Sequence, residues 1–146
     1  MIVGAPRESF PGERRVALVP AVIPGLTKAG FEVVVEAGAG AEAGYPDKEY
    51  VAKGARIVPE RADVFRSADV VVQVLCHGSN HKTGKDDLPL LRHGQALIGF
   101  LRPLGALETI TDIAARGVTS FSIELMPRTT RAQSMDALSS MATICG

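Results

Sequence analysis

Tryptophan is absent from this 146-residue chain, and only two Tyr and five Phe are present. Aromatic platforms on which bases could stack are therefore scarce. Excess charge is absent as well. Lys+Arg 16 balances Asp+Glu 16, so no net field draws the chain onto nucleic acid or an anionic membrane. Nucleic acid is not an expected partner. No apolar run approaches the roughly 20 residues of a membrane-spanning helix. The start, Met1-Ile2-Val3-Gly4-Ala5-Pro6-Arg7, lacks the charged-then-apolar layout of a secretory leader. Cysteine is limited to Cys76 and Cys145, too far apart to form a framework. Reduced thiols in a cytoplasmic protein are the simple expectation.

What is present is the composition of a soluble α/β protein, 46% hydrophobic and 22% charged, with Gly 15 and Pro 9. The length suits one domain with a real core. Residues 1–5 form a short apolar run ended by Pro6, and Arg7 to Glu13 is a polar loop. Pro20 opens a helix that Gly30 stops. Phe31 to Glu36 is a β-branched strand, Asp47 caps a short helix through Lys53, and Ala55 to Val58 is a third strand. A short helix over 61–66 precedes Ala68 to Leu75, which is apolar on both faces and reads as a buried central strand.

Residues 76–87 are polar and read as a mobile loop, followed by a helical turn at Leu88 to Leu91 and a buried strand at Ala96 to Leu101. Leu107, Ile110, Ile113 and Ala114 mark a helix that ends before Gly117, and Val118 to Ile123 is the last strand. Met135, Leu138, Met141/Ala142 and Cys145 continue a helical stripe up to Gly146. This alternation predicts an open, mainly parallel sheet with helices on both faces, a three-layer sandwich of flavodoxin-like or Rossmann-like kind.

Several motifs compete for a function. Gly38-Ala39-Gly40-Ala41-Glu42-Ala43 fits G-x-G-x-x-G/A after a strand, but Gly44-Tyr45-Pro46-Asp47 breaks the chain where a helix should open. It reads as a tight structural loop. Cys76, His77 and His81 lack a helix and a carboxylate at ligand spacing, so no metal is expected. His93 suits a helix end. Arg14-Arg15 is either a carboxylate clamp or a structural ion-pair set, and Asp86-Asp87 most simply caps the next helix.

The densest set of ligand-type groups is late. Arg128-Thr129-Thr130-Arg131 follows Pro127, and Gln133, Ser134, Asp136, Ser139 and Ser140 follow in turn. Such groups hold ribose hydroxyls, carboxamides and phosphates by charge-assisted and bidentate hydrogen bonds. Capping of the next helix by Ser134 or Asp136 explains one such residue but not the set.

Residues 126–140, MPRTTRAQSMDALSS, resemble the signature loop of the NAD(H)-binding alpha subunit of proton-translocating NAD(P) transhydrogenases. Pro6-Arg7-Glu8, the run Pro11 to Pro20, and Val35 to Gly40 agree with it, but are shared with alanine dehydrogenase, the other branch of this superfamily. The resemblance implies that Arg128, Gln133 and Asp136 reach the nicotinamide end of NAD(H) and the facing NADP(H). It adds Thr129, Thr130, Arg131, Ser134 and Ser139 as further cofactor contacts.

It also implies a first subdomain spanning 1–146, with the Gly-rich NAD-binding Rossmann domain following in sequence. The implied partners are membrane-embedded and NADP-binding components, with the protein a homodimer held peripherally at the inner membrane. Two alternatives stand beside this one. An alanine dehydrogenase needs a Lys and a His at its carbonyl; Gln73 and Arg102 occupy the corresponding positions. A non-catalytic module is the other.

Overall fold

The computed structural model describes residues 1–145. Six strands, β1 (Ile2–Ala5), β2 (Glu32–Glu36), β3 (Arg56–Val58), β4 (Val70–Leu75), β5 (Ala96–Phe100) and β6 (Thr119–Ser122), make one sheet in the order β3-β2-β1-β4-β5-β6. All pairings are parallel. This is the strand order of doubly wound dinucleotide-binding folds, not the flavodoxin order. Its topological switch point lies between β1 and β4.

Helices α1 (Ile23–Lys28) and α2 (Asp47–Ala52) cover one face, where Ile23 and Tyr50 bury Ala5, Val33 and Val35. Helices α3 (Arg61–Ser67) and α4 (Leu107–Ala114), with a 3-10 segment at Gly84–Leu90, cover the other. There Phe65, Leu88 and Ile113 pack on Val71 and Leu97. A last helix, α5 (Ala137–Cys145), follows the late loop; side chains beyond Ala142, and so that of Cys145, lie outside the described residues.

The coverage is uneven, and this corrects the reading of β4 as buried on both sides. Val71 is fully buried, whereas Val70, Val72 and Val74 are half-buried. Helices α1 and α2 pack on β2 and β3; of the row Val72, Ile98 and Phe121 on that face, Val72 packs against the core beneath those helices, while Ile98 and Phe121 join none of the buried clusters. Phe121 is 55% exposed.

Other expectations change in instructive ways. The 76–87 loop is tied down by buried polar contacts. Asn80 is 1% exposed, and its amide reaches Ser9 Oγ and Thr83 Oγ1 while its carbonyl oxygen accepts the Thr83 N–H at 3.0 Å. A buried Asn that satisfies the loop's own polar groups replaces the solvent a mobile loop would need. Asp47 does not cap α2; it accepts the Gly38 N–H at 2.9 Å. Leu107, counted in the α4 stripe, is 74% exposed, and Ile110 and Ile113 carry the packing. His93 lies beyond the 3-10 segment with its ring against Gly117, where any Cβ would meet it at 2.3 Å.

Candidate functional site

In doubly wound folds the crevice outside the carboxyl ends of the strands at the switch point is the usual ligand site. Here the chain's own side chains bond across it, beside a depression of about 330 Å³ lined by Arg7, Glu8, Ser9, Glu36 and Arg61. Glu8, just after β1, accepts the Val74 and Leu75 amides at the end of β4, at 2.6 and 3.1 Å. Arg61 grips Asp87 with two parallel hydrogen bonds of 2.6 and 2.7 Å and also donates to the Arg7 carbonyl. Gln73 adds its amide to Asp87 at 3.0 Å. Asp87 is thus a buried ion-pair partner and not a helix cap. Burial pushes the carboxyls of Glu8 and Glu36 up, against hydrogen bonds and the Arg61 charge.

The neighbouring motifs resolve as scaffold. The Gly38–Gly40 turn leads into a 3-10 turn, Ala41–Ala43, whose amides bond within the loop. Gly40 is needed because a Cβ there would stand 2.5 Å from the Tyr50 hydroxyl. Arg15 is held by Glu13 through two side-chain bonds and touches the Met141 Sδ of α5 at 2.7 Å, while Arg14 lies 3.7 Å from Glu42. The structural ion-pair reading of Arg14-Arg15 prevails. His77 approaches Asp112 at 3.4 Å, and the His81 ring meets Phe10 edge-on. Burial raises the Cys76 thiol far out of the reactive range.

The late segment is different because its polar groups face outward. After β6 a 3-10 turn, Ile123–Leu125, leads to Pro127, and a 3-10 helix, Thr130–Met135, pins itself to the body through buried Ala132. Asp136 then caps α5, accepting the Ser139 amide at 3.0 Å and the Ser139 hydroxyl at 2.6 Å. Capping by Asp136 is therefore correct, and Ser134 takes no part in it. The two Ser139 bonds, with the Arg128 charge acting in the same direction, hold the Asp136 carboxyl below the usual aspartate range.

This folding gathers Arg128, Gln133, Asp136 and Ser139 around one open depression of about 420 Å³. Ser140 also lines it, bonding the Asp136 carbonyl at 3.2 Å. Ser140 belongs to the late polar set read from the sequence but not to the contacts that the resemblance implies. Thr129, Thr130, Arg131 and Ser134 are exposed and line no part of the depression.

Residues 4–145 match the model of one family, Alanine dehydrogenase/PNT, N-terminal domain. The chain belongs to that family. Within it, the chain is 42% identical over all 146 residues to the NAD(P) transhydrogenase subunit alpha of Cereibacter sphaeroides and spans 27% of that protein's length. The transhydrogenase structure from Sinorhizobium meliloti superposes with a TM-score of 0.88 at 41% identity, over 99% of this chain and 41% of that one. An L-alanine dehydrogenase structure gives 0.80 at 29% identity, over 91% of this chain and 35% of its own. Both branches of the family thus share the six-stranded frame. Among the described residues no helix is long and apolar enough to cross a membrane.

Proposed function

We propose that this chain is the N-terminal part of the NAD(H)-binding component of an NAD(P) transhydrogenase. One observation carries the reading: Arg128, Gln133, Asp136 and Ser139 line one depression at the carboxyl-end side of β6. A guanidinium, a carboxamide, a carboxylate and hydroxyls match the carboxamide and ribose hydroxyls of a nicotinamide nucleoside. The Asp136 carboxylate among them repels a pyrophosphate. The Ser139 amide in the first turn of α5 is already taken by Asp136, and in the Gly38–Gly40 turn the Gly38 and Ala39 amides are taken by Asp47 and the Glu36 carbonyl. The same proposal therefore places the pyrophosphate cradle in a Rossmann domain outside residues 1–146.

The cofactor, when bound, supplies or takes a hydride at its nicotinamide ring. This chain's residues orient and shield. Gln133 offers both a donor and an acceptor to a carboxamide, and Arg128 offers a planar fork to an oxygen ligand. Asp136 stays an anion, braced by Ser139, and is set to accept hydrogen bonds from hydroxyls without taking up a proton. Hydride passage between two nicotinamides protonates no carbonyl, so the task is to bring reacting atoms to roughly 3–3.5 Å. In this reading NADP(H) is held by a partner component, and proton translocation resides in membrane-embedded partners. The protein is a homodimer placed at the inner membrane by those partners.

The alanine dehydrogenase branch fits less well. Arg102 stands where the resemblance places a His, and it is no base near neutral pH; Gln73, where it places a Lys, does not by itself separate the two branches. Gln73 is also committed to Asp87. The test is hydride transfer in the complete subunit reconstituted with its partners, wild type against Gln133→Ala. A fall in rate supports the reading; unchanged rate with unchanged NADH affinity sinks it.

A further inference from the structure

Glu124 lies in the 3-10 turn directly after β6, four residues before Arg128. Its carboxylate does not face solvent chemistry but crosses to the end of β5. The Leu101 N–H donates to both of its oxygens, at 2.9 and 3.2 Å, and the Arg102 N–H and Ser122 hydroxyl donate as well. The β5–β6 ladder ends at Gly99 and Ser122. Beyond that point the amides of Leu101 and Arg102 face away from any strand partner, and this one side chain takes the place of the missing strand.

The anchored loop is also strained. Arg102 has φ 52°, the one positive φ outside glycine among the described residues. Such a conformation persists only where its surroundings over-determine it; the Glu124 carboxylate accepts the Arg102 N–H, and the Gly105 N–H donates to the Arg102 carbonyl at 3.1 Å. The two tied segments then face each other across an apolar cavity of about 670 Å³, with Pro103 on one wall and Met126, Pro127 and Met135 on another. The late loop therefore leaves the sheet beyond the last β5–β6 pair with its base tied to the residues after β5 by a carboxylate.

We propose that Glu124 is a positioning residue for the Arg128, Gln133 and Asp136 group. It touches no nucleotide. It fixes the base of the segment that carries those three side chains, and so the distance and angle at which they meet the nicotinamide. This rests on the function proposed above. Because hydride transfer depends steeply on distance, a displacement of about 1 Å at the loop lowers the chemical step by up to about 100-fold. Ground-state binding, shared with the rest of the site, changes little.

The test uses the complete subunit reconstituted with its partners, with Glu124→Gln, Glu124→Ala, Gln133→Ala and the double variant Glu124→Ala/Arg102→Gly. Glu124→Ala is expected to lower kcat by about 10- to 100-fold per nucleotide-binding site, counted by NADH titration, with KM for NADH changed less than about threefold. Glu124→Gln, which keeps one carbonyl acceptor, is expected to fall between it and wild type. Glycine at 102 adopts a positive φ without a brace, so the double variant is expected to recover part of kcat. A merely structural role would lower the number of binding sites while leaving kcat per site unchanged, and that result overturns the proposal. So does normal kcat in Glu124→Gln and the double variant alike, which covers the case where Glu124→Ala does not fold. If Gln133→Ala is also without effect, the functional reading itself has failed.

Discussion

Asp136 and Ser139 are joined twice, amide to Oδ1 and hydroxyl to Oδ2, so the residue that opens α5 is also a wall of the depression. Helix start and site are one feature. Replacing Asp136 with Asn keeps a capping oxygen but removes the charge. In the reconstituted enzyme Asp136→Ala is expected to slow hydride transfer by about 10- to 100-fold, and Asp136→Asn by less. A single-turnover assay with both nucleotides saturating reads the difference.

The same pair has a pH signature. Asp136's carboxyl is held below its ordinary value of 3.8. A depressed acid stabilises the fold above its unfolded value and loses that contribution as pH falls through the folded one. The ellipticity of α5 should therefore decline below about pH 4 in the wild type. In Asp136→Asn that acid limb should be missing. A wild-type titration at 222 nm that matches the variant's down to pH 2 would contradict it.

Glu8 and Glu36 act with the opposite sign. Burial raises both above 4.5. A raised acid holds its proton longer in the folded state, so stability falls as pH rises through the window just above that value. Urea midpoints measured from pH 4 to 8 should drop with pH in the wild type. The slope should be shallower in Glu8→Gln. An unchanged slope would show that Glu8 is not the titrating group.

Asp87 is the hub of the switch-point network. Its loss leaves the Arg61 guanidinium, four-fifths buried, without its fork partner. Asp87→Ala should cost about 3–5 kcal/mol by urea denaturation, whereas Arg61→Met/Asp87→Leu should be more stable than the single variant. The network also predicts chemistry. With Gln73 bonded to Asp87, the complete protein should show no pyruvate-dependent oxidation of NADH, and a rate above background would favour the dehydrogenase branch.

Gly40 separates scaffold from site. Its Cβ would press on the Tyr50 hydroxyl and the Tyr45 carbonyl at 2.5 and 2.7 Å. Gly40→Ala should lower stability by about 1–3 kcal/mol and leave the NADH affinity of the complete protein unchanged under conditions where it stays folded. Calorimetry decides, and a large loss of affinity would restore the phosphate reading of the Gly38–Gly40 motif.

Much of this was legible in residue order alone. The six strands, their alternation with helices, and the late run from Arg128 to Ser139 follow from hydrophobic period, glycine and proline punctuation, and residue chemistry. These are local properties, and local patterns report them. What residue order did not show was partnership across distance. Asn80 ordering its loop through Ser9 and Thr83, Asp87 turning from helix cap to ion pair, and Asp47 reaching Gly38 all join residues that the pattern treats separately. The half-bare face of β4 and β5 is another such case, because coverage depends on which strands α1 and α2 overlie and not on the strands' own composition. The late loop belongs to both kinds. Its sequence determined which functional groups it offers; only the tertiary structure, through the Asp136–Ser139 cap and the Glu124 anchor on β5, decided that Arg128, Gln133, Asp136 and Ser139 face one depression while Thr129, Thr130, Arg131 and Ser134 do not.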